Sequence, residues 1–315
     1  MPPHLPHLVI IGGGTMGSLI ARAAAKAGAA RAVTVIEPDA VKRRRLGREG
    51  VRTAVSVTEF AGAADSLLLR ATISKRGEAR PTRATQTCIF LLAVKPQMFA
   101  GLVPELSPVL ARGDAVLSIM AGVRSGDIAR ALHIPRSAVA RAMPNLGIRV
   151  GFGMTALAFP TRGSPALRRS TRGLFLSVGE VVELPEARFD AFTAFAGSGP
   201  AYFFYLAEAL ERAGAALGFP APLARQVSMQ LAQAAAAMLA EPGASAARLR
   251  SAVTSKAGVT AAACTVLDDR NIRAAFTSAL KAGVARGREL AGAAPGAQAP
   301  AIRSRVTPDK RARTL

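Results

Sequence analysis

The stretch LVIIGGGTMG, residues 8–17, decides the first half of the fold. Its four apolar residues suit a buried strand, and glycines 12, 14 and 17 then fit the pattern G-x-G-x-x-G. In that pattern Gly12 permits a tight turn, Gly14 lets backbone approach a pyrophosphate, and Gly17 lets helix and strand pack closely. We expect Thr15 and Met16, between these glycines, to line the same ligand at the start of a helix. The stretch therefore predicts a dinucleotide-binding turn, the alternative being a purely structural glycine turn.

A second apolar run ends at an acidic residue where the motif requires one. Ala32 to Ile36 is followed by Glu37, 20 residues after Gly17, and a carboxylate there can accept hydrogen bonds from an adenosine ribose. Such a carboxylate repels a 2′-phosphate, which favours NADH. Arginines 43–45, one helical turn further on, could neutralise that phosphate, but they equally suit a solvated helix face. The cofactor is therefore NADPH or NADH, with a slight lean to NADH.

Strand-like and helix-like runs alternate through the first half of the chain. A helix-like run spans 18–28, and further apolar runs span 88–94 and 115–119. Parallel neighbours need crossover connections, so this alternation predicts a doubly wound parallel sheet of the Rossmann type over residues 1–160. Residues 66–87 carry five basic side chains and one acidic one, which suits an exposed insertion.

The second half of the chain is helix-like almost throughout. Its longest runs are rich in alanine and span 201–217, 221–239 and 244–255. The predicted organisation is a connecting segment at 161–188, an all-α domain at 189–290 and a disordered basic tail at 291–315. Residues 226–239 carry no charge, and one modest domain can hardly bury a helix that is apolar on several sides. This predicts a homodimer, or a larger homo-oligomer built from dimers, formed through the all-α domain.

Composition excludes several classes of protein. Two cysteines cannot form a disulfide framework, and histidines 4, 7 and 133 have no metal-ligand spacing. Apolar runs end before the roughly 18–20 residues that a membrane span needs, and residues 1–21 lack the basic start of a signal peptide. We therefore expect a soluble, cytoplasmic protein with no metal and no membrane partner.

The net charge of +21 has two interpretations. A polyanion such as nucleic acid would be attracted to it. However, no nucleic-acid-binding motif accompanies the charge, and aromatic residues make up only 5% of the chain, so platforms for stacking bases are few. We favour a compositional bias toward arginine and alanine over a nucleic-acid partner.

Further stretches follow the motif order of a known family. They are AVKPQ (93–97), RAMPN (141–145), GMT (153–155), GSGPAY (197–202) and VTSKAGVT (253–260). From about Val9 to Leu290 the chain resembles the pyrroline-5-carboxylate reductases. The resemblance implies an NAD(P)H-dependent reductase that converts 1-pyrroline-5-carboxylate, a cyclic imine and a small-molecule substrate, to L-proline in the final step of proline biosynthesis. It also implies that four residues line the cofactor: Ala93, Val94, Lys95 and Pro96.

The resemblance further places substrate between the nicotinamide and the loop Ser255–Thr260, close to a dimer interface. Thr260 and Ser255 are then the catalytic hydroxyls, with Thr260 bonded to the ring nitrogen. The substrate-binding residues it implies are Ala257, Gly258, Val259 and Thr260, and backbone N–H groups at a helix start do suit a carboxylate. Taken alone, the same loop also fits an ordinary helix N-cap by Ser255.

The chain departs from the family pattern at three motif positions. Leu146-Gly147-Ile148 stands where the family has T-P-A, Ala257 replaces a customary glycine, and Ala244 replaces a frequent glutamate, with Glu241 three residues away. The insertion 66–87 is a further departure. Two alternatives therefore stay open: a divergent reductase of another small imine or keto acid, and a non-catalytic relative that binds a cofactor or a polyanion.

Overall fold

The computed structural model describes residues 5–63 and 88–292 of the 315-residue chain. The predicted insertion at 66–87 lies outside the described residues. So does the predicted tail, apart from residues 291 and 292, which end the last helix. Both predictions therefore stay predictions.

Eight strands form one sheet in the order β3-β2-β1-β4-β5-β6-β7-β8. They are β1 (Leu5–Ile11), β2 (Ala30–Ile36), β3 (Arg52–Ala54), β4 (Cys88–Leu92), β5 (Ala115–Ser118), β6 (Val139–Met143), β7 (Gly153–Ala158) and β8 (Gly179–Glu183). Every neighbouring pair is parallel except β6 and β7. The order 3-2-1-4-5-6 is that of a Rossmann fold, so the predicted doubly wound sheet is confirmed.

Helices cover both faces of the sheet. They are α1 (Thr15–Lys26), α2 (Ala40–Arg48), α3 (57–63), α4 (Phe99–Leu106), α5 (Ser125–Ala131) and α6 (Pro165–Leu176). Successive side chains of a strand point to opposite faces. Leu8 and Ile10 of β1 thus belong to a core that includes Ile20 of α1, while Val9 and Ile11 belong to a second core on the other face. The glycine turn follows β1, whose side chains lie in both layers, and the N–H of Gly12 donates to the carbonyl of Ile36 at 2.9 Å.

The range 161–188 is not a connecting segment. It forms α6 and β8, and β8 pairs in parallel with β7 as the edge strand of the sheet. The first domain therefore continues to about residue 184 instead of ending at 160. β8 is only partly buried and two of its five residues, Glu180 and Glu183, are charged, so it lacks the apolar run that marks the inner strands.

The helical domain begins immediately after β8. It contains α7 (Phe189–Phe192), a π-helical turn (Thr193–Gly197), α8 (Gly199–Ala216), α9 (Ala221–Leu239), α10 (Ala246–Ala252), α11 (Val259–Asp269) and α12 (Ile272–Gly292). α8 and α9 pack closely, and the hydroxyl of Ser228 donates to the carbonyl of Ala207 at 2.9 Å. α12 packs on α7 and on the π-helical turn. Among the described residues, no helix combines the length and apolar character needed to span a bilayer.

Candidate active site

The glycine turn fits its predicted conformation. Gly12 has φ +105°, and a Cβ added there would lie 2.8 Å from the carbonyl oxygen of Ala93. A Cβ on Gly17 would overlap the carbonyl oxygen of Gly12, so neither position accepts another residue. In contrast, a Cβ on Gly14 would meet nothing within 4 Å. The space in front of Gly14 is open, as a turn that receives a phosphate requires.

Helix α1 starts directly at this open space. Gly14 is its N-cap residue, and no side chain caps the helix within the part of the chain described. The N–H groups of its first turn, including those of Thr15 and Met16, are therefore available to an anion, and the helix dipole favours negative charge at this end. The first turn also carries no acidic residue that would repel a phosphate.

The side chain of Glu37 supports this turn from behind. One carboxylate oxygen, Oε2, accepts a hydrogen bond from the N–H of Gly13 at 2.8 Å, and Oε1 accepts one from the N–H of Asp39 at 3.0 Å. Only 6% of the residue is exposed. The structure therefore directs the carboxylate to the main chain, and the predicted role as an acceptor for a ribose stays a prediction.

A positive charge lies over the same corner of the sheet. Nη1 of Arg43 donates to the carbonyl oxygens of Glu37 at 2.8 Å and Pro38 at 2.6 Å. Nζ of Lys42 lies 3.7 Å from Oε1 of Glu37. Arg44 and Arg45 are exposed, and Arg45 forms an ion pair with the helix-terminal acid Glu49 at 3.7 Å. Of the three arginines, only Arg43 is directed to the end of β2, and the other two form a solvated helix face.

The segment Ala93–Pro96 completes the edge of this half of the site. It follows β4, the neighbour of β1, at the point where the strand order reverses, which is where open α/β sheets bind ligands. The N–H of Ala93 donates to the carbonyl of Ile11 at 2.8 Å, which fixes the segment against the glycine turn. Val94 is half-buried there. Lys95 is exposed and has no ion pair among the described residues, and Pro96 begins a single 3₁₀ turn.

The predicted substrate loop lies between α10 and α11. Ala257 has φ +57°, and Gly258 is the N-cap residue of α11. A Cβ on Gly258 would overlap the hydroxyl oxygen of Ser255 and lie 3.2 Å from its carbonyl oxygen, so a larger residue would require the serine side chain to rotate away. No side chain within the described residues caps α11, and an N-cap role for Ser255 is therefore wrong.

This loop leaves hydrogen-bond donors free. The first-turn N–H groups of α11 have no capping side chain, and Val259 is 91% exposed. The hydroxyl of Thr260 makes no hydrogen bond to any described residue. Within the described residues, no hydrogen bond or ion pair joins Ser255–Thr260 to the glycine turn. The two groups of predicted site residues thus form two separate candidate half-sites, one on each domain.

Comparison with known proteins identifies both domains. Residues 7–122 match a family described as NADP oxidoreductase, coenzyme F420-dependent, and residues 186–290 match pyrroline-5-carboxylate reductase dimerisation. The pyrroline-5-carboxylate reductase of Synechocystis sp. is 37% identical over 202 residues, which cover 64% of this chain and 74% of that protein. That of Pasteurella multocida is 33% identical over 287 residues, covering 90% and 97%. The chain belongs to the pyrroline-5-carboxylate reductase family.

Solved structures of pyrroline-5-carboxylate reductases share this fold. The enzyme from Coxiella burnetii superimposes with a TM-score of 0.74 at 28% identity, over 91% of this chain and 99% of that one. The Plasmodium falciparum enzyme, solved with NADP bound, gives 0.73 at 21% identity over 91% and 99%. The family model over residues 186–290 makes this helical region a dimerisation domain.

The family's T-P-A positions form a different but well-fitted turn here. Leu146–Val150 is a 3₁₀ turn, and Ile148 is buried in the core beside α1. A Cβ on Gly147 would overlap the carbonyl oxygen of Phe152, so this turn requires glycine at position 147. Gly151, at φ +82°, closes the turn. This departure from the pyrroline-5-carboxylate reductase pattern is therefore compensated locally.

The other two departures are in the helical domain. Ala257 adopts the left-handed conformation that explains why the family prefers glycine there. The backbone therefore keeps the shape that a glycine would take, at a cost in strain. Ala244 lies in the turn before α10, where its N–H donates to the carbonyl of Glu241 at 3.0 Å.

The sequence assigned no role to Asn145 of the RAMPN motif. Its Oδ1 accepts hydrogen bonds from the N–H groups of Gly147 and Met154, each at 3.1 Å. Its Nδ2 donates to the carbonyl of Ala196 in the π-helical turn at 3.0 Å. Asn145 therefore connects the carboxyl edge of the sheet to the helical domain. The motif was the only signal available, because its partners lie up to 51 residues away.

Proposed function

We propose that this chain reduces 1-pyrroline-5-carboxylate to L-proline with NADH or NADPH as the reductant. The observation that carries the proposal is the pair of half-sites in a member of this family. An open glycine turn lies on the Rossmann domain, and a loop with free donors lies on the dimerisation domain. Neither half is blocked by a side chain among the described residues.

The Rossmann half fits a nicotinamide dinucleotide. Gly12, Gly14 and Gly17, with the N–H groups of Thr15 and Met16, would hold the pyrophosphate. Ala93, Val94, Lys95 and Pro96 would hold the nicotinamide end beside them. The reduced nicotinamide supplies a hydride when bound. The residues of this half-site would orient the nicotinamide ring so that its hydride faces the substrate.

The loop half fits a cyclic imine that carries a carboxylate. The N–H groups of Ala257, Val259 and Thr260 would bind the carboxylate at the start of α11, where the helix dipole favours an anion. The N–H of Gly258 already donates to the carbonyl of Ser255 at 3.1 Å, so Gly258 would shape the loop beside the carboxylate. Hydride reaches the imine carbon, and a proton must reach the nitrogen in the same reduction. The free hydroxyl of Thr260 would hydrogen-bond that nitrogen as charge develops, with Ser255 beside it. No histidine or cysteine lies in a family motif, so hydroxyl groups and water carry the proton.

Both nicotinamide dinucleotides suit this site. The carboxylate of Glu37 is directed to the N–H groups of Gly13 and Asp39 and is almost completely buried. Arg43 and Lys42 place two positive charges at the same corner. We therefore infer that NADPH is accepted as well as NADH, which moves the choice away from the lean to NADH suggested by the sequence motif.

The assembly is a homodimer formed by the helical domain. Phe203 and Tyr205 of α8 are 71% and 75% exposed in one chain, and Phe204, Leu206 and Leu210 accompany them. An apolar surface of this kind is typical of an interface between subunits. Association beyond a dimer and a cytoplasmic location stay predictions.

A direct assay tests the proposal. Purified protein is mixed with pyrroline-5-carboxylate and either NADH or NADPH, and loss of reduced nicotinamide is followed together with formation of proline. Turnover with formation of proline supports the proposal. Turnover that is faster with another cyclic imine or keto acid would favour a divergent reductase. Absence of turnover together with salt-sensitive retention on heparin would favour a polyanion-binding relative.

A further inference from the structure

A buried guanidinium joins three segments at the boundary between the domains. Arg141, in β6, is 3% exposed. Its Nη1 donates to Oε1 of Glu186 at 3.2 Å, and its Nη2 donates to the carbonyl of Met120 at 3.0 Å. Glu186 lies between β8 and α7, where the helical domain begins, and Met120 lies in the loop after β5. One side chain therefore connects the sheet, a loop of its carboxyl edge and the entrance to the helical domain.

The partners of Arg141 are themselves fixed. Glu186 accepts hydrogen bonds from both the N–H and the hydroxyl of Ser125, each at 2.6 Å, where α5 begins. The guanidinium carbon of Arg141 lies 4.8 Å from the ring centroid of Phe189 in α7, a cation–π distance. Burial raises the pKa of Glu186, but the hydrogen bonds from Ser125 and the charge of Arg141 outweigh it and lower that pKa below its ordinary value. Glu186 is thus held as a carboxylate facing a buried cation.

The last residue of the RAMPN motif, Asn145, makes a second connection between the sheet and the helical domain. Asn145 donates to Ala196 in the π-helical turn, which α12 packs against. Loops after β1, β4, β5 and β6 all lie at the carboxyl edge of the sheet, because these strands are parallel. The connections of Arg141 and Asn145 therefore fix the helical domain against the edge that carries the glycine turn.

We propose that Arg141 and Glu186 are positioning residues, whose pairing sets the orientation of the dimerisation domain, and hence of its substrate loops, relative to the nicotinamide edge. The inference rests on the proposed reductase function. Removing one member of a buried ion pair leaves the other charge uncompensated, so the boundary must rearrange or loosen. Hydride transfer depends steeply on distance, and a shift of about 1 Å can cost roughly 100-fold in rate. Binding of the dinucleotide to the glycine turn does not depend on this boundary.

The test compares Arg141→Met and Glu186→Gln with the wild-type dimer. For both variants we expect kcat with pyrroline-5-carboxylate to fall by about 10–100-fold. The Kd for NADPH, measured without substrate by fluorescence, should change by less than about twofold. The double variant should lose no more than the worse single variant, because both remove one interaction. Arg136→Met is the matched control: Arg136 lies 3.6 Å from the same Glu186 but is 69% exposed, and its kcat should stay within about twofold.

A second measurement reports on position directly. Amide hydrogen exchange of residues 189–197 should accelerate by about tenfold in Arg141→Met and Glu186→Gln, with the glycine turn unaffected. Unchanged exchange there, or wild-type kcat in Glu186→Gln, would overturn the inference even if Arg141→Met fails to fold. Equal losses in kcat and NADPH affinity would overturn it as well. Failure of the proposed function is distinguishable, because the wild-type protein would then not turn over pyrroline-5-carboxylate while the exchange measurement still applies.

Discussion

The backbone N–H of Gly13 donates a hydrogen bond to Oε2 of Glu37 across 2.8 Å, so the acid at the end of β2 supports the phosphate turn. Glu37→Ala removes that support and leaves the N–H of Gly13 without its partner. We expect affinity for NADH and NADPH to fall together, by about tenfold each, because hydrogen bonds to charged groups contribute roughly 1.5–3 kcal/mol. Calorimetric titration with both dinucleotides measures this.

A role of Glu37 as ribose ligand gives a different result from the same titration. Affinity for NADH would fall while affinity for NADPH stayed level or rose, and that pattern would contradict the support role. Glu49→Gln, an acid at the far end of α2 that pairs with Arg22 and Arg45, serves as the control and should change neither affinity.

Gly14→Ala separates cofactor binding from folding. Its φ of −66° is ordinary for alanine, and the added methyl group would meet no described atom within 4 Å, so stability should be unchanged. The methyl group would instead occupy the space that a pyrophosphate needs, and affinity for either dinucleotide should fall strongly. Gly17→Ala is the matched comparison, since its methyl group would overlap the carbonyl of Gly12 and should lower the free energy of unfolding. Normal dinucleotide binding by Gly14→Ala would refute the assigned turn.

Thr260→Ala should lower kcat by about 10–100-fold, because its hydroxyl orients the imine nitrogen without being a strong acid. NADPH affinity should be intact, since Thr260 lies on the other domain. Thr260→Ser restores a hydroxyl and should recover much of the rate. Val259→Ala alters a side chain that is 91% exposed and should be tolerated. Steady-state kinetics of the wild-type protein and the three variants measure whether the hydroxyl of Thr260 contributes to turnover. A wild-type rate in Thr260→Ala would mean that the proton comes from water.

Ala257→Gly should stabilise the protein or leave its stability unchanged. Left-handed backbone costs a residue with a Cβ about 1–2 kcal/mol, and glycine escapes that strain while losing more entropy on folding. The free energy of unfolding by urea should therefore rise by up to about 1 kcal/mol. Ala235→Gly, in the interior of α9, makes the same chemical change inside a helix and should instead cost about 1 kcal/mol. If both variants lose stability equally, the conformation of Ala257 is not strained in solution.

Phe203→Asp should weaken the dimer. The substitution puts a charge into the apolar surface of α8, and burying an unpaired carboxylate in an interface is costly. Sedimentation at micromolar concentration should show the wild-type protein as a dimer and the variant partly as chains of 32.5 kDa. Glu208→Gln, on the same helix but already polar, should sediment as the wild-type protein does. A fully active wild-type monomer would contradict the assembly.

Local signals in the sequence predicted the cofactor half of the fold. The pattern of glycines between residues 12 and 17 reflects contacts within a single turn. It therefore predicted the position of this turn, between β1 and α1, correctly. The observed α9, Ala221–Leu239, has the bounds of the predicted helical run because proline and glycine bracket it. The edge strand β8 was not predicted because its sequence is partly polar. Its position in the sheet depends on pairing with β7, and the paired residues are 26 positions apart in the sequence.

Side-chain direction and long-range pairing could not be read from the chain. Whether Glu37 faces a ribose or the N–H of Gly13 depends on the three-dimensional approach of two loops 24 residues apart. The pairing of Arg141 with Glu186 spans 45 residues, and neither residue has a neighbour in sequence that indicates the other. The positive φ of Ala257 contradicts the usual preference of alanine, so only the family's glycine hinted at it.

The exposed surface of α8 has a consequence for how stability depends on concentration. Within the described residues no side chain of α8 is fully buried, so a large part of its apolar core must come from a second copy. By mass action, the unfolding midpoint of such a protein rises with the amount of chain present and falls on dilution. At chain concentrations below the Kd of the dimer, a newly made chain would have a folded Rossmann domain and helices whose apolar surface is not yet buried. Enzyme activity would then rise more steeply than linearly with the amount of chain in the cell.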